Sequence, residues 1–275
     1  MLYAVGSALP EYRIRAINNA ADSNNLIHED EHARRYGYQR GLVPGVSLFA
    51  YMTRSLVESV GRDWLERGSA SVRFLRPVYD GEEVRVTGTL AGVLKDGGLS
   101  IELQLGNVKG VTCCIGTAGL PTQTPSPEPS MRDFPAGHGK LGRPISLDLL
   151  KVGERLNPVT SEFTRKTHWE YCQKAIRDHH PIYHQVVHPG WLLSRANLVI
   201  SINYSIASWI HVSSEVQNYR TQEAECVVET RGRVADKFER KGHHYVVLDL
   251  AAFAGERCLE TIKHTVIFRI APRAA

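Results

Sequence analysis

Hydrophobic positions along this chain keep two different periods. From Gly45 to Arg67 the apolar residues Val46, Phe49, Ala50, Met52, Leu56, Val57 and Val60 recur near helical spacing, which predicts a helix with one buried stripe. Alternation then takes over. The run SVRFLRPVYDGEEVRVTGTLAGVL reads as two strands parted at Asp80-Gly81, LKDGGLSIELQLGN turns at Asp96-Gly97-Gly98, and VTCCIGTAGL supplies a last strand. Consecutive antiparallel strands that follow one apolar helix predict a sheet curled around that helix. Upstream, residues 2–18 alternate weakly as a strand or strand pair broken at Pro10, before a polar loop from Asn18 to His28 and a short acid-led helix from about Glu29.

The same order returns after the middle of the chain. Prolines 121, 125, 127, 129 and 135 mark a linker that no sheet can continue through. Beyond it, VGERLNPVTSEFTRKT matches the opening strand, WEYCQKAI reads as a short helix, and RDHHPIYH stands where the His28 loop stands in the first half. HPGWLL matches VPGVSLF, so Pro189-Gly190 lies opposite Pro44-Gly45 and the apolar helix Trp191–Ile210 opposite Gly45–Arg67. Strand runs follow again: HVSSEVQNYR, EAECVVETRGRVADKFER, HHYVVLDLAAFA and ETIKHTVIFRI. The expected organisation is therefore two repeats, 1–120 and 141–275, joined by a Pro-rich linker over 121–140.

Composition narrows the class without naming a chemistry. With 43% hydrophobic and 23% charged residues, the chain is composed like a water-soluble globular protein. Its formal charge of +4 is spread among acids, so no nucleic-acid stripe is visible. Five cysteines, an odd number with one adjacent pair and no CxxC, argue against a disulfide framework or a zinc ribbon and fit a reducing cytoplasm. The N-terminus lacks a secretory pattern. The apolar run from Trp191 is interrupted by Arg195, Asn197 and Asn203, which suits a helix buried in protein better than one in lipid.

Candidate chemistry gathers in NLIHEDEHARRYGYQRGLVPGVSLF, residues 25–49. His28 can exchange a proton near neutral pH, and the N–H groups opening the helix at Gly45 attract developing negative charge. Together they suit holding a carbonyl and moving a proton beside it. Rival constellations are weaker. His180, His184 and His188 have metal-like spacing, but Pro181 and Pro189 break any common helix. His243-His244 would point to opposite faces of a strand. No GxSxG elbow is present. Arg34, Arg35 and Arg40 suit either the phosphates of a coenzyme or a solvated face.

The stretch AADSNNLIHEDEHARRYGYQRGLVPGV, followed by VRFLRPVYDGEEV, resembles the MaoC-like hydratase/dehydratase family. Asn25, Ile27, His28, Asp30, Ala33, Gly37 and Gly45 fall on places of the family's loop and helix opening. The resemblance implies an α+β double hotdog, two antiparallel sheets each wrapping a central helix. It also implies an enzyme adding or removing water on acyl thioesters of coenzyme A or acyl carrier protein. No cofactor or metal is implied, nor a nucleic-acid or membrane partner, and a homodimer is compatible with it. His28 would carry the proton, with Asn25, Ser23 and Asp22 as its candidate partners. Gly45, Val43 and Val46 would bind the thioester.

Two departures stand out. Ser23 occupies the family's aspartate position with Asp22 one residue early, and Leu26 replaces the proline. In the second half Asp178 and Pro181-Ile182 fit, but Tyr183 stands at the histidine position and His180 at the asparagine position. His28 then works with a water held by Ser23 and Asn25, or with Asp22 through an altered turn, or hydration has been lost. The alternatives are a hotdog thioesterase, with water aimed at the carbonyl carbon, and a non-catalytic acyl-binding or assembly subunit.

Overall fold

One antiparallel sheet of ten strands runs through the computed structural model, which describes residues 4–223 and 225–271. The strands of the first half are β1 (Tyr12–Arg15), β2 (Ser69–Phe74), β3 (Glu83–Val93), β4 (Leu99–Asn107) and β5 (Thr112–Leu120). Those of the second half are β6 (Val159–Phe163), β7 (Ile210–Asn218), β8 (Cys226–Arg240), β9 (His243–Ala254) and β10 (Arg257–Arg269). Their order across the sheet is β1-β3-β4-β5-β2-β7-β10-β9-β8-β6, so each half repeats the other about the β2–β7 seam. At that seam Ser69 pairs with Gln217 and Arg73 with Ser213. The expected two sheets are thus continuous with one another, and the fold is a double hotdog.

Five α-helices occupy the described residues: α1 (Asp30–Arg35), α2 (Gly45–Val60), α3 (Arg62–Arg67), α4 (Arg165–Glu170) and α5 (Pro189–Asn203). The helix expected over Gly45–Arg67 is divided at Gly61, whose φ of 62° is a left-handed value that ends α2 and redirects α3. α5 begins two residues earlier than expected and stops at Asn203. There the Asn203 side chain bonds Asn157 and the Val199 carbonyl, and the chain turns toward β7. The opening stretch is also less regular than expected, since pairing with β3 is confined to Tyr12–Arg15 and a single bridge at Ala8. None of these helices is long and apolar enough to cross a membrane.

α2 carries the core of the first half. Leu48, Phe49, Tyr51, Met52, Leu56 and Val57 are all buried against the sheet or against α5. Full burial of each such side chain contributes about 1.5–3 kcal/mol before entropy is counted. α5 is apolar on more of its circumference because α2 covers one side and the second sheet another. Between β5 and β6 the Pro-rich stretch forms turns, and Phe134 packs edge-on to Phe253 at 6.2 Å on the outer face of the second sheet.

The two central helices touch backbone to backbone at Gly190. A Cβ there would lie 2.5 Å from the Ala50 Cβ and 2.9 Å from the Tyr171 hydroxyl. Gly190→Ala is accordingly expected to cost about 1–3 kcal/mol by overpacking, measured as a lower urea midpoint with unchanged m-value. A variant as stable as the parent would show that the helices separate freely.

Candidate active site

The sequence around His28 folds into a short 3₁₀ turn, Leu26–His28, capped by the Asn25 side chain accepting from the Ile27 amide. Three backbone contacts hold this turn. The Leu26 amide donates to the Ala207 carbonyl at 2.8 Å, the Leu42 amide to the Ile27 carbonyl at 3.2 Å, and Asn18 Nδ2 to the His28 carbonyl at 2.7 Å. Gly41 is required there, because a Cβ would fall 2.0 Å from the His28 carbonyl oxygen. His28 is consequently buried, not displayed on an open loop.

Its tautomer follows from its partners. Nδ1 lies 2.7 Å from the Leu42 carbonyl, which can only accept, so the proton sits on Nδ1 and Nε2 presents its lone pair. Asn25 Nδ2 approaches that lone pair at 3.2 Å. Asn25 is itself fixed by a two-way bond to the second half: its Nδ2 donates to the Trp209 carbonyl at 3.0 Å and its Oδ1 accepts the Trp209 amide at 3.0 Å. Burial lowers the His28 pKa below 6.5, against the raising effect of the Leu42 carbonyl, and keeps the ring neutral.

A pocket of about 220 Å³ opens beside His28. Asn25, His28, Val43, Gly45 and Leu48 line it from the first half, and Trp209, His211 and Ile267 from the second, with Arg76 at an exposed position on the wall. Gly45 opens α2, and no side chain caps this helix. The amides of Ser47 and Leu48 both turn back to the Pro44 carbonyl. The Gly45 and Val46 amides make no hydrogen bond among the described residues. Such a helix start favours negative charge at its mouth. No carboxylate of the described residues lines the pocket.

The structure brings together His28, Asn25, Val43 and Gly45. It does not bring in the side chains of the others. Val46 faces the core, and Asp22 and Ser23 are exposed, with the Ser23 hydroxyl 3.5 Å from the Asn25 carbonyl of its own loop. Arg34 and Arg35 pair with Asp30 and Glu31 one turn away on exposed α1. Sequence reading missed Trp209 and His211. Both precede or open a strand whose only signal was its alternation, and nothing local ties them to a loop 180 residues upstream.

The second half has the same turn with a different interior. His180 caps the turn Pro181–His184 and accepts from the Ile182 amide, as Asn25 does from Ile27. Tyr183 takes the place of His28 and is fully buried, its ring 4.2 Å from that of His188. His188 Nδ1 accepts the Gly190 amide at 2.9 Å and caps α5, so its Nε2–H donates to Asp178 at 3.3 Å. Asp178 also accepts from the His180 amide at 2.9 Å and from Arg54 of α2 at 2.7 Å. His184 instead stacks on Trp169 at 4.0 Å, so the three histidines of the possible metal spacing have separate partners.

No family profile and no curated sequence matches the chain. Solved structures do. A MaoC domain protein dehydratase from Chloroflexus aurantiacus superposes with a TM-score of 0.69 at 13% identity, covering 98% of this chain and 96% of its own. A Mycobacterium tuberculosis protein with a double hotdog fold gives 0.61 at 11% identity, with 96% of each chain covered. An acyl-CoA thioesterase II from Mycobacterium marinum gives 0.53 at 12%, covering 84% of this chain and 92% of its own. The resemblance seen in the sequence thus holds over nearly the whole length as a shared fold.

Asp178 gives a pH test of the closed second turn. Burial raises its pKa, but the hydrogen bonds from His188, the His180 amide and Arg54 outweigh that and bring it from 3.8 to about 2. A depressed carboxyl pKa stabilises the fold fully above the unfolded value and loses that contribution as pH falls through the folded one. Asp178→Asn should therefore cost about 3 kcal/mol at neutral pH, the low end for breaking a buried pair, because Arg54 keeps Glu58. The gap between variant and parent, read by urea unfolding, should close as pH falls from about 4 to about 2. A gap independent of pH would refute the ionised assignment.

Proposed function

We propose that the protein adds water to, or removes it from, an enoyl or 3-hydroxyacyl thioester of coenzyme A or acyl carrier protein. The observation that carries this reading is the pairing of a neutral, oriented imidazole with an uncapped helix start across one pocket. The thioester carbonyl would meet the Gly45 and Val46 amides, which stabilise charge as it develops on oxygen. His28 Nε2 takes a proton from water while the water oxygen bonds to the β-carbon. The C=C electron pair moves toward the α-carbon and the carbonyl oxygen as an enolate. The imidazolium then returns its proton to the α-carbon, so substrate plus water equals product and His28 ends neutral. Asn25 positions the ring, and its long contact to Nε2 leaves room for the water to compete.

One base suffices in this scheme, so neither Asp22 nor Ser23 is given a proton to carry. His28→Gln should lower hydration of crotonyl-CoA by ~10²–10⁴-fold, while Asp22→Asn and Ser23→Ala leave it unchanged. Full activity of His28→Gln would remove this site from consideration. Release of free thiol with no 3-hydroxyacyl product would instead select the thioesterase reading.

The acid limb of kcat/KM offers a separate check. Because burial lowers the His28 pKa, the base stays unprotonated below pH 6.5, and activity should fall only as pH drops through that lowered value. An acid limb above 6.5 would contradict a buried neutral base.

A further inference from the structure

The second repeat carries a buried histidine that the scheme above leaves unused. His168 lies in α4, only 2% exposed, with its ring edge-on to Phe163 at 5.0 Å. The backbone amide of His188 donates to its Nε2 at 2.8 Å, and the Cys172 sulfur lies 3.7 Å from the same nitrogen. A backbone amide only donates, so Nε2 must present its lone pair. Burial, with His188 close by, lowers the His168 pKa to about 3, so the ring is neutral and its one proton sits on Nδ1. No group of the described residues accepts from Nδ1–H, and that nitrogen is not sealed off from solvent.

The small exposed part of His168 opens on a surface pocket of about 430 Å³ between α4 and the turn Pro181–His184. Phe163, Trp169, Tyr183 and His184 give the pocket aromatic walls, and Trp169 is stacked on His184 at 4.0 Å. Arg165 and Lys166 also line it, and both are exposed. Neither side chain meets a carboxylate among the described residues. Glu225, close by, accepts the Arg165 backbone amide at 2.8 Å. No carboxylate lines the pocket itself.

A buried N–H without an acceptor is rare, and Nδ1–H of His168 meets one only when something enters this pocket. A neutral donor at depth with two cations beside it selects an acceptor that carries negative charge, since such hydrogen bonds are about twice as strong as neutral ones. The aromatic walls suit a flat apolar body behind that charge. A water molecule would satisfy Nδ1, but it would draw nothing from the cations or the rings.

We propose that this pocket binds an aromatic organic anion, whose carboxylate or phosphate accepts from His168 Nδ1–H beside Arg165 and Lys166 while its ring lies against Trp169. The donor is aimed by the closed helix start, because the amide that fixes the His168 tautomer belongs to His188, the residue that caps α5. The site shares no lining residue with the His28 pocket, and it stands whether or not the protein acts on thioesters.

The test titrates the full chain with benzoate, phenyl phosphate and inorganic phosphate by calorimetry. Benzoate or phenyl phosphate should bind at one site per chain, the tighter of the two naming the acid group, and inorganic phosphate should bind more weakly than phenyl phosphate. In ¹⁵N-histidine-labelled protein, His168 should show a protonated Nδ1 and a bare Nε2 before ligand is added, and its Nδ1–H resonance should move as the site fills. Replacing both exposed cations, Arg165→Gln with Lys166→Gln, should leave the fold intact and weaken binding about 10-fold. Trp169→Ala should weaken the two aromatic anions and spare inorganic phosphate. His168→Phe should weaken binding by a further ~10–10²-fold relative to the parent. Because that change also strands the His188 amide, the double cation variant carries the test should His168→Phe fail to fold. His28→Gln should bind as the parent does. Absence of saturable binding by either aromatic anion would overturn the proposal. So would binding undiminished without the two cations, binding lost in His28→Gln, or saturation that leaves the His168 Nδ1–H resonance unmoved.

Discussion

The first amides of an α-helix have no partner inside the helix, and when the helix starts within protein something else must satisfy them. This chain meets that demand twice, at equivalent places, in opposite ways. α5 is closed by its own residues: His188 accepts the Gly190 amide, and Asp178 orients His188 from behind. Ala50 and Tyr171 fill the space a ligand would need at Gly190. α2 has no side-chain cap, and its start opens on a pocket. One repeat closes the helix start with its own side chains, and the other leaves it open on a pocket.

The open site depends on the closed repeat for its walls. Asn25 is clamped by both polar groups of the Trp209 backbone, and the neighbouring residues of that segment, through His211, complete the pocket. Arg54 makes the reverse connection, reaching from α2 into the second turn. With β2 paired to β7 along the seam, displacement of one repeat would disturb the Asn25–Trp209 hydrogen bonds that hold the amide facing His28 Nε2. Two-repeat architecture is thus a condition of the site and not merely its container.

The parts of this arrangement that were legible in the sequence are those that local chemistry dictates. Strand alternation, turn pairs such as Asp80-Gly81 and the two Pro-Gly steps marked most of the elements, and the His28 turn could be located from its neighbours. Helix ends were less legible, because the stop at Asn203 is made by a side chain reaching back to Asn157. The partners of His28 were read too locally. Ser23 and Asp22 are near it in sequence, yet the residues that define its surroundings, Leu42 and Trp209, arrive through tertiary folding. The contacts among His211, Ser214 and His264 were invisible for the same reason, since alternation says which face a residue takes but not what lies opposite.

The missing carboxylate of the first loop has a physical counterpart in the helix that faces it. In the second repeat Asp178 is buried and ionised, and it is supported there by the guanidinium of Arg54. Arg54 stands nine residues beyond Gly45 in α2; nine residues beyond Gly190, α5 carries Val199, fully buried and apolar. A buried carboxylate without a cation or several donors is either neutralised or strongly destabilising. An aspartate at position 23, turned inward as Asp178 is, would find no such cation on α5. Serine there, exposed to solvent, avoids that cost. The polar equipment left around the pocket interior is neutral: a buried imidazole whose lone pair meets the Asn25 amide, helix amides, and a second imidazole opposite. Such groups are tolerated in a water-poor site because each loses less solvation than a charge, and they respond most strongly when charge appears on the ligand.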